Sequence, residues 1–287
     1  MTRYVIITPV RDEEEHVQAT LECVIGQTVR PAEWVIVDDG STDRTGPMID
    51  QYAAQFPWIR VIHRANRGFR KAGGGVVDAF NEGFNFLRCH DWDFVVKLDG
   101  DLSFSADYFQ ECFEHFRKQP ELGIGGGEIY YDSGSGQELE ACTKFHVRGA
   151  TKIYRKACWE ALGGLMPAAG WDTIDEVKAN MLGWKTRSFE DLRLIHHRLT
   201  GAADGLLRDR VKFGAVCYTC GYHPLFVLAR CVYRLGRRPY VVGSFAMLYG
   251  FLKGYFTPTP HVNDQRLIDY VRAQQLRRLC GLPTMWR

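Results

Sequence analysis

The 287-residue sequence contains no charge-free apolar run of the roughly 20 residues that cross a bilayer as a helix. It also lacks internal repeats, low-complexity tracts and long linkers. No Gly-x-Gly-x-x-Gly follows the first apolar segment and no Gly-x-x-x-x-Gly-Lys-Ser/Thr occurs, which removes the two commonest glycine-rich phosphate cradles. Nine cysteines at irregular spacings do not describe a disulfide framework, and Cys217-x-x-Cys220 has no second pair with which to build a zinc site. No secretory signal precedes Tyr4, so the expected setting is a reducing cytosol. A strong overall charge is missing as well. The formal net of +2 conceals an asymmetry: residues 1–200 carry 23 basic and 30 acidic side chains, whereas residues 201–287 carry 13 and 4. The two parts stand at −7 and +9. A basic tail suits phosphates or an anionic bilayer, an acidic body suits a metal cation, and no nucleic-acid partner is expected.

What is present is an ordinary globular composition, 46% apolar and 24% charged, long enough to bury a real core. Tyr4 to Thr8 (YVIIT) reads as a buried parallel strand that stops at Pro9. A helix follows with Val17, Leu21 and Val24 on one stripe, ending near Gly26. Trp34 to Val37 gives a second strand, then a helix capped by Ser41 or Asp43 and running to Phe56, then a third strand from Ile59 to Ile62. A basic glycine-rich loop, Arg64 to Gly75, leads into a helix over Val76 to Leu87 and a fourth strand over Phe94 to Leu98. Strands alternating with helices predict a parallel sheet covered on both faces, whose ligands bind beyond the carboxyl ends of the strands. Three of those ends carry polar clusters: Thr8 to Arg11, Asp38 to Asp43, and Asp99 to Asp101. A helix around Tyr108 to Phe116 is followed by Ile124 to Tyr131 and Lys152 to Tyr154, read as a mixed extension of the sheet. Tyr222 to Leu235 and Tyr240 to Phe256 are apolar but interrupted by Arg230, Arg234 and Lys253, which suits helices lying in a membrane interface or a buried helical pair.

The polar clusters suggest chemistry. Asp99 and Asp101 flank Gly100 at a strand end, where two carboxylates can turn toward one Mg²⁺ or Mn²⁺ ion. Such a cation neutralises a nucleoside diphosphate leaving group. Arg64, Arg67, Arg70 and Lys71, interleaved with Gly68, Gly73, Gly74 and Gly75, can approach phosphate oxygens closely or form a solvated connection. Asp38 and Asp39 either accept from a base N–H or ribose hydroxyl, or cap their own turn. In Gly170 to Glu176 (GWDTIDE), Trp171 offers a flat face for a sugar, and Asp172, Asp175 and Glu176 are candidate bases, although Asp172 could equally be a helix N-cap.

Taken in order, VIITPVRDEEE, VIVDDGSTD, NRGFRKAGG, VKLDGD and GWDTIDEVKANMLGW resemble the successive motifs of the family 2 glycosyltransferases across residues 3–200. The resemblance implies an α/β fold of GT-A type, a nucleotide-binding mixed sheet flanked by helices. It also implies inverting transfer from a nucleotide-sugar donor to a hydroxyl of a glycan or lipid-linked glycan acceptor in polysaccharide biosynthesis. By matching position, Thr8, Pro9, Arg11 and Glu13 line the nucleoside pocket, Asp39 holds the base, and Arg70, Lys71, Gly73, Asp99 and Gly100 complete the donor site. Asp101 is the expected direct metal ligand, with Asp99 beside it. The general base of the family commonly lies in a Glu-Asp pair eleven residues before a glycine. Asp172 keeps that spacing to Gly183, but Trp171 replaces the glutamate, so Asp175 is the second choice and Trp171 is assigned to the acceptor. His197 and Arg198, with His196, resemble the late basic motif that holds the diphosphate; a structural histidine pair on a helix is the alternative. The expected division is a transferase domain over 1–200 and a helical extension over 201–287 in peripheral contact with the inner face of the cytoplasmic membrane. A sugar nucleotidyltransferase is a competing reading, but TPVRDEEE lacks the glycine-rich loop that such enzymes carry after the first strand. A non-catalytic nucleotide-sugar-binding module is the other.

Overall fold

The computed structural model describes residues 2–69, 74–134, 136–140, 142–198, 205–257, 259 and 261–286. Within them the chain runs β1 (Tyr4–Val10), α1 (Val17–Ile25), β2 (Glu33–Asp38), α2 (Thr45–Gln55), β3 (Ile59–His63), α3 (Gly74–Asn85), β4 (Phe94–Leu98) and β5 (Leu102–Phe104). It continues through α4 (Tyr108–Lys118), β6 (Leu122–Asp132), β7 (Gln137–Leu139), β8 (Thr151–Arg155), α5 (Lys156–Leu162), α6 (Trp171–Met181) and β9 (Lys185–His196). Four helices follow: α7 (Leu206–Thr219), α8 (Pro224–Arg234), α9 (Val242–Phe256) and α10 (Gln265–Leu279). One mixed sheet has the order β3-β2-β1-β4-β8-β6-β9-β5, with β7 on the edge of β6. β1 to β4 are mutually parallel where they pair, and β8 enters antiparallel to both β4 and β6.

The period of two along β1 divides the core. Tyr4 and Ile6 pack with Leu21 of α1 and Phe109 of α4, while Val5 and Ile7 pack with Val77 and Phe80 of α3 on the other face. Each such fully buried aliphatic side chain stabilises by about 1.5–3 kcal/mol. β1 does not stop at Pro9 but runs to Val10, paired with Asp38. Its ladder with β4 ends at Ile7, so past that point one side of β1 carries no strand, and a residue without an N–H is accommodated there.

Further expectations are corrected. His196 ends strand β9 and His197 follows it, so the pair does not lie on a helix. α6 begins at Trp171 with Gly170 as N-cap, which leaves Asp172 in its first turn rather than at its cap. The C-terminal helices form a layer of their own. α6 packs against it through Ile174 and Val177, which meet Cys220, Leu267 and Val271. Cys217 is buried with Met247 and Phe251. On α9, Phe245, Tyr249, Tyr255 and Phe256 are exposed while Met247 and Phe251 are buried, so the segment is neither wholly buried nor wholly interfacial. Among the described residues no helix is long and apolar enough to cross a membrane.

Candidate active site

The site is assembled where β1, β2, β4 and β9 end. The loops after β1 and β2 hold each other: the Asp12 amide donates to Ser41 Oγ at 3.0 Å and the Thr42 amide to Asp12 Oδ1 at 2.8 Å. Two residues on, the Glu14 amide donates to Asp43 Oδ2 and the Arg44 amide to Glu14 Oε2. Asp38 serves this turn, accepting from the Ser41 amide and from His63 Nδ1 at 2.9 Å. Asp39 points elsewhere. Its carboxylate is gripped by Arg64 and Arg67, and Arg11 donates to its carbonyl oxygen, to Asn66 and to Phe69. Thr8 faces the core, where its hydroxyl accepts from Trp34 Nε1 at 2.9 Å, so it does not line an open pocket. Arg70, Lys71 and Gly73 lie outside the described residues.

Arg198, just past β9, donates to Glu13 Oε2 at 2.7 Å and to the Asp12 carbonyl, tying the last strand to the first loop. Beside it, His196 Nε2 lies 3.1 Å from Asp101 Oδ2, and the His197 amide donates to the Asp101 carbonyl. His197 itself meets Ser103 Oγ and stacks on His16. Burial alone would raise Asp101, but the hydrogen bond from His196 and the charges of His196, Arg198 and Lys97 hold it below the usual carboxylate range. His196 is correspondingly held above the usual imidazole value: burial pulls it down, and Asp101 more than offsets that. Gly100 is required by packing, since a Cβ there would stand 2.5 Å from Val10 Cγ1.

Asp99 leads to the second half of the site. It pairs with buried Lys97, which also donates to the Gly149 carbonyl. A Cβ on Gly149 would meet Trp171 Cζ2 at 3.1 Å and Asp172 Oδ2 at 3.4 Å, so Asp172 lies one residue's width from the Asp99 corner. Asp172 keeps 32% side-chain exposure and stands 4.0 Å from His146 Nε2. Asp175 is different. Its carboxylate is buried, bonded by Lys152 Nζ at 2.9 and 3.0 Å and by the Tyr154 hydroxyl, and burial pushes it above the usual carboxylate range. Glu176 is fully buried and accepts from His146, the Val147 amide and Lys152. Trp171 is not the open sugar platform expected: it is 7% exposed, and its ring lies against the ammonium groups of Lys97 and Lys152.

A divalent cation fits this corner chemically. Asp101 stays ionised, Asp99 stands two residues away in its pair with Lys97, and carboxylate oxygens suit Mg²⁺ or Mn²⁺. Among the described residues no group of three or more His, Cys, Asp or Glu side chains is arranged to hold a metal ion by itself. Mg²⁺ and Mn²⁺ commonly take few protein ligands and complete their shell with phosphate oxygens and water. Sequence reasoning missed Lys97, Lys152, His146 and Gly149, because buried lysines inside apolar strands carry no outward signal.

Residues 5–160 match the family described as glycosyl transferase family 2. The chain belongs to this family. The glycosyltransferase EpsJ of Bacillus subtilis strain 168 is 34% identical over 128 residues, 45% of this chain and 34% of EpsJ. GlyA of Streptococcus pneumoniae serotype 4 is 26% identical over 210 residues, 72% of this chain and 27% of GlyA. The chain therefore matches about a third or less of the length of these two relatives. A fragment of S. aureus TarS superposes with a TM-score of 0.56 at 17% identity, covering 89% of this chain and 72% of the fragment. The mannosyltransferase PcManGT from Pyrobaculum calidifontis, solved with GDP-Man and Mn²⁺, gives 0.57 at 16% identity, covering 98% and 76%. The fold is thus of GT-A type, as the family implies.

Proposed function

We propose that the chain transfers a sugar, with inversion, from a nucleoside diphosphate sugar to a hydroxyl group of a cell-envelope or lipid-linked glycan. One observation carries the reading: Arg11 bonds Asp39, Arg198 bonds Glu13, His196 bonds Asp101, Lys97 bonds both Asp99 and the Gly149 carbonyl, and Gly149 lies beside Asp172, so these groups follow one another along one rim. A nucleotide sugar laid along that rim has its base near Asp39 and its anomeric carbon near Asp172.

In this reading Asp39, oriented by Arg64 and Arg67, receives the nucleoside together with Pro9, Arg11 and Glu13. Arg198, His197, Arg70, Lys71 and Gly73 serve the diphosphate. Asp101, with Asp99, would hold Mg²⁺ or Mn²⁺, which supplies charge neutralisation to the departing diphosphate. Asp172 takes the proton from the acceptor hydroxyl as its oxygen approaches the anomeric carbon. What favours Asp172 over Asp175 is exposure: Asp175 is already bonded to Lys152 and Tyr154 and faces no open space. Residues 1–200 form the transferase unit. The exposed aromatic residues and arginines of 201–287 rest on an anionic membrane at its cytoplasmic face.

The test is a panel of nucleotide sugars with Mn²⁺ and glycan acceptors, read by the product nucleotide. Nucleoside diphosphate release is expected; pyrophosphate release would reassign the site to nucleotidyl transfer, and sugar-nucleotide binding without any turnover would reassign it to a binding module. For the membrane contact, the chain should float with anionic liposomes at low salt; a chain left in the soluble fraction removes that part of the reading.

A further inference from the structure

We propose that the cavity beside Asp172 binds a phosphate or diphosphate group carried by the acceptor. This rests on the transfer reading of Asp172. The cavity has a volume of about 840 Å³ and lies between residues 142–148, α6 and the C-terminal helices. Thr173, Glu176 and His146 line its inner end. His146 Nε2 is 4.0 Å from Asp172 Oδ2, so an acceptor filling the cavity presents its far end to the base.

Five arginines also line the cavity; Arg148 is paired with Glu140, and the other four cluster on the C-terminal helices. Arg230, Arg234 and Arg237 recur at helical spacing along α8 and just past its end, and Arg278 of α10 lines the same space. Among the described residues, none of these four guanidinium groups has a carboxylate within 4.0 Å. Glu176, the one acid on the lining, is already engaged by Lys152, His146 and the Val147 amide. Burial and the charges of Arg210, Arg230 and Arg237 hold Arg234 below the usual guanidinium value, against only partial relief from Asp209. Aromatic rings fix the arginines at the wall: Arg230 lies 4.6 Å from the Phe213 centroid and Arg278 lies 5.5 Å from that of Trp286. Arginine forks with open donors match phosphate oxygens better than neutral sugar hydroxyls.

The opposite side of α8 exposes Leu225, Leu228 and Val232. An apolar chain leaving the phosphate can instead lie against Phe213, Phe226 and Trp286 of the cavity lining, whereas a water-soluble phosphate ester needs only the arginines. The two sources share the phosphate chemistry and differ in the tail.

The experiment is calorimetry on the full chain with geranyl diphosphate, inorganic pyrophosphate and geraniol. Geranyl diphosphate is expected to bind, Arg230→Gln with Arg234→Gln to weaken it by at least about tenfold, and Arg198→Gln to leave it unchanged, which separates this site from the donor diphosphate site. Arg237→Gln, at an exposed position where folding is not at stake, should weaken binding by a smaller factor. Pyrophosphate binding that is as tight as that of geranyl diphosphate and is weakened by Arg230→Gln with Arg234→Gln assigns a soluble phosphorylated acceptor; a requirement for the prenyl chain assigns a lipid-linked one. Absence of binding by both anions, equal binding by geraniol, or wild-type affinity in the Arg230→Gln, Arg234→Gln variant overturns the proposal. Product assays separate the two readings. Turnover on neutral glycans without anion binding removes only the phosphate site, and anion binding at these arginines without any sugar transfer removes only the assignment of Asp172.

Discussion

Lys97 and Lys152 stand directly opposite each other on β4 and β8, and the indole of Trp171 lies 5.5 and 5.6 Å from their ammonium groups. Both lysines are buried, and two cations in adjacent strands persist only because Asp99 pairs with the first and Asp175 and Glu176 pair with the second. Lys152→Met leaves two buried carboxylates without their cation and should cost about 3–5 kcal/mol in urea unfolding. A loss below about 1 kcal/mol would show that the cluster is not held by this charge.

Asp172 and Asp175 separate in their expected phenotypes. Asp172→Asn should lower turnover by about 10²- to 10⁴-fold while leaving donor affinity and unfolding midpoint near wild type. Asp175→Asn should instead lower the midpoint. Full turnover in the first variant rejects Asp172 as base.

Asp101→Ala should weaken donor binding measured by calorimetry in Mn²⁺ and leave binding in chelator little changed. An identical affinity for donor in Mn²⁺ would show that Asp101 does not serve the metal.

His146 provides a pH signature. Burial lowers its pKa, but the charge and hydrogen bond of Glu176 more than offset this and hold it above the ordinary 6.5. A raised folded pKa means that the protonated ring stabilises the fold; the contribution is complete below pH 6.5 and is lost as pH rises through the higher folded value. As pH rises from below 6.5 into the alkaline range, the wild type should therefore lose more unfolding free energy than His146→Gln. Parallel pH profiles would assign the titration to another group.

The parallel half of the fold was legible because its strands are short, wholly apolar and followed by polar turns, as in YVIIT and WVIV. The antiparallel half was not. β9 (KTRSFEDLRLIH) buries its residues irregularly because its register against β6 shifts between Gly127 and Glu128, which erases the period of two. β6 is rich in glycine, and the ring of Phe189 occupies the space where a Gly125 side chain would stand, so the core there is supplied by a distant aromatic residue. In the site, the aspartates at strand ends could be read as a group, but the choice between Asp172 and Asp175 depends on Lys152, which looks like an error in a buried strand until its partners are known.

The contact between Arg198 and Glu13 spans 185 positions of sequence. During synthesis the loops after β1 and β2 can emerge and close on each other early, while the strand that latches them appears only after most of the chain has left the ribosome. A nascent chain therefore carries the lip of the candidate site long before its clasp, and that corner gains its last ion pair only once β9 has docked.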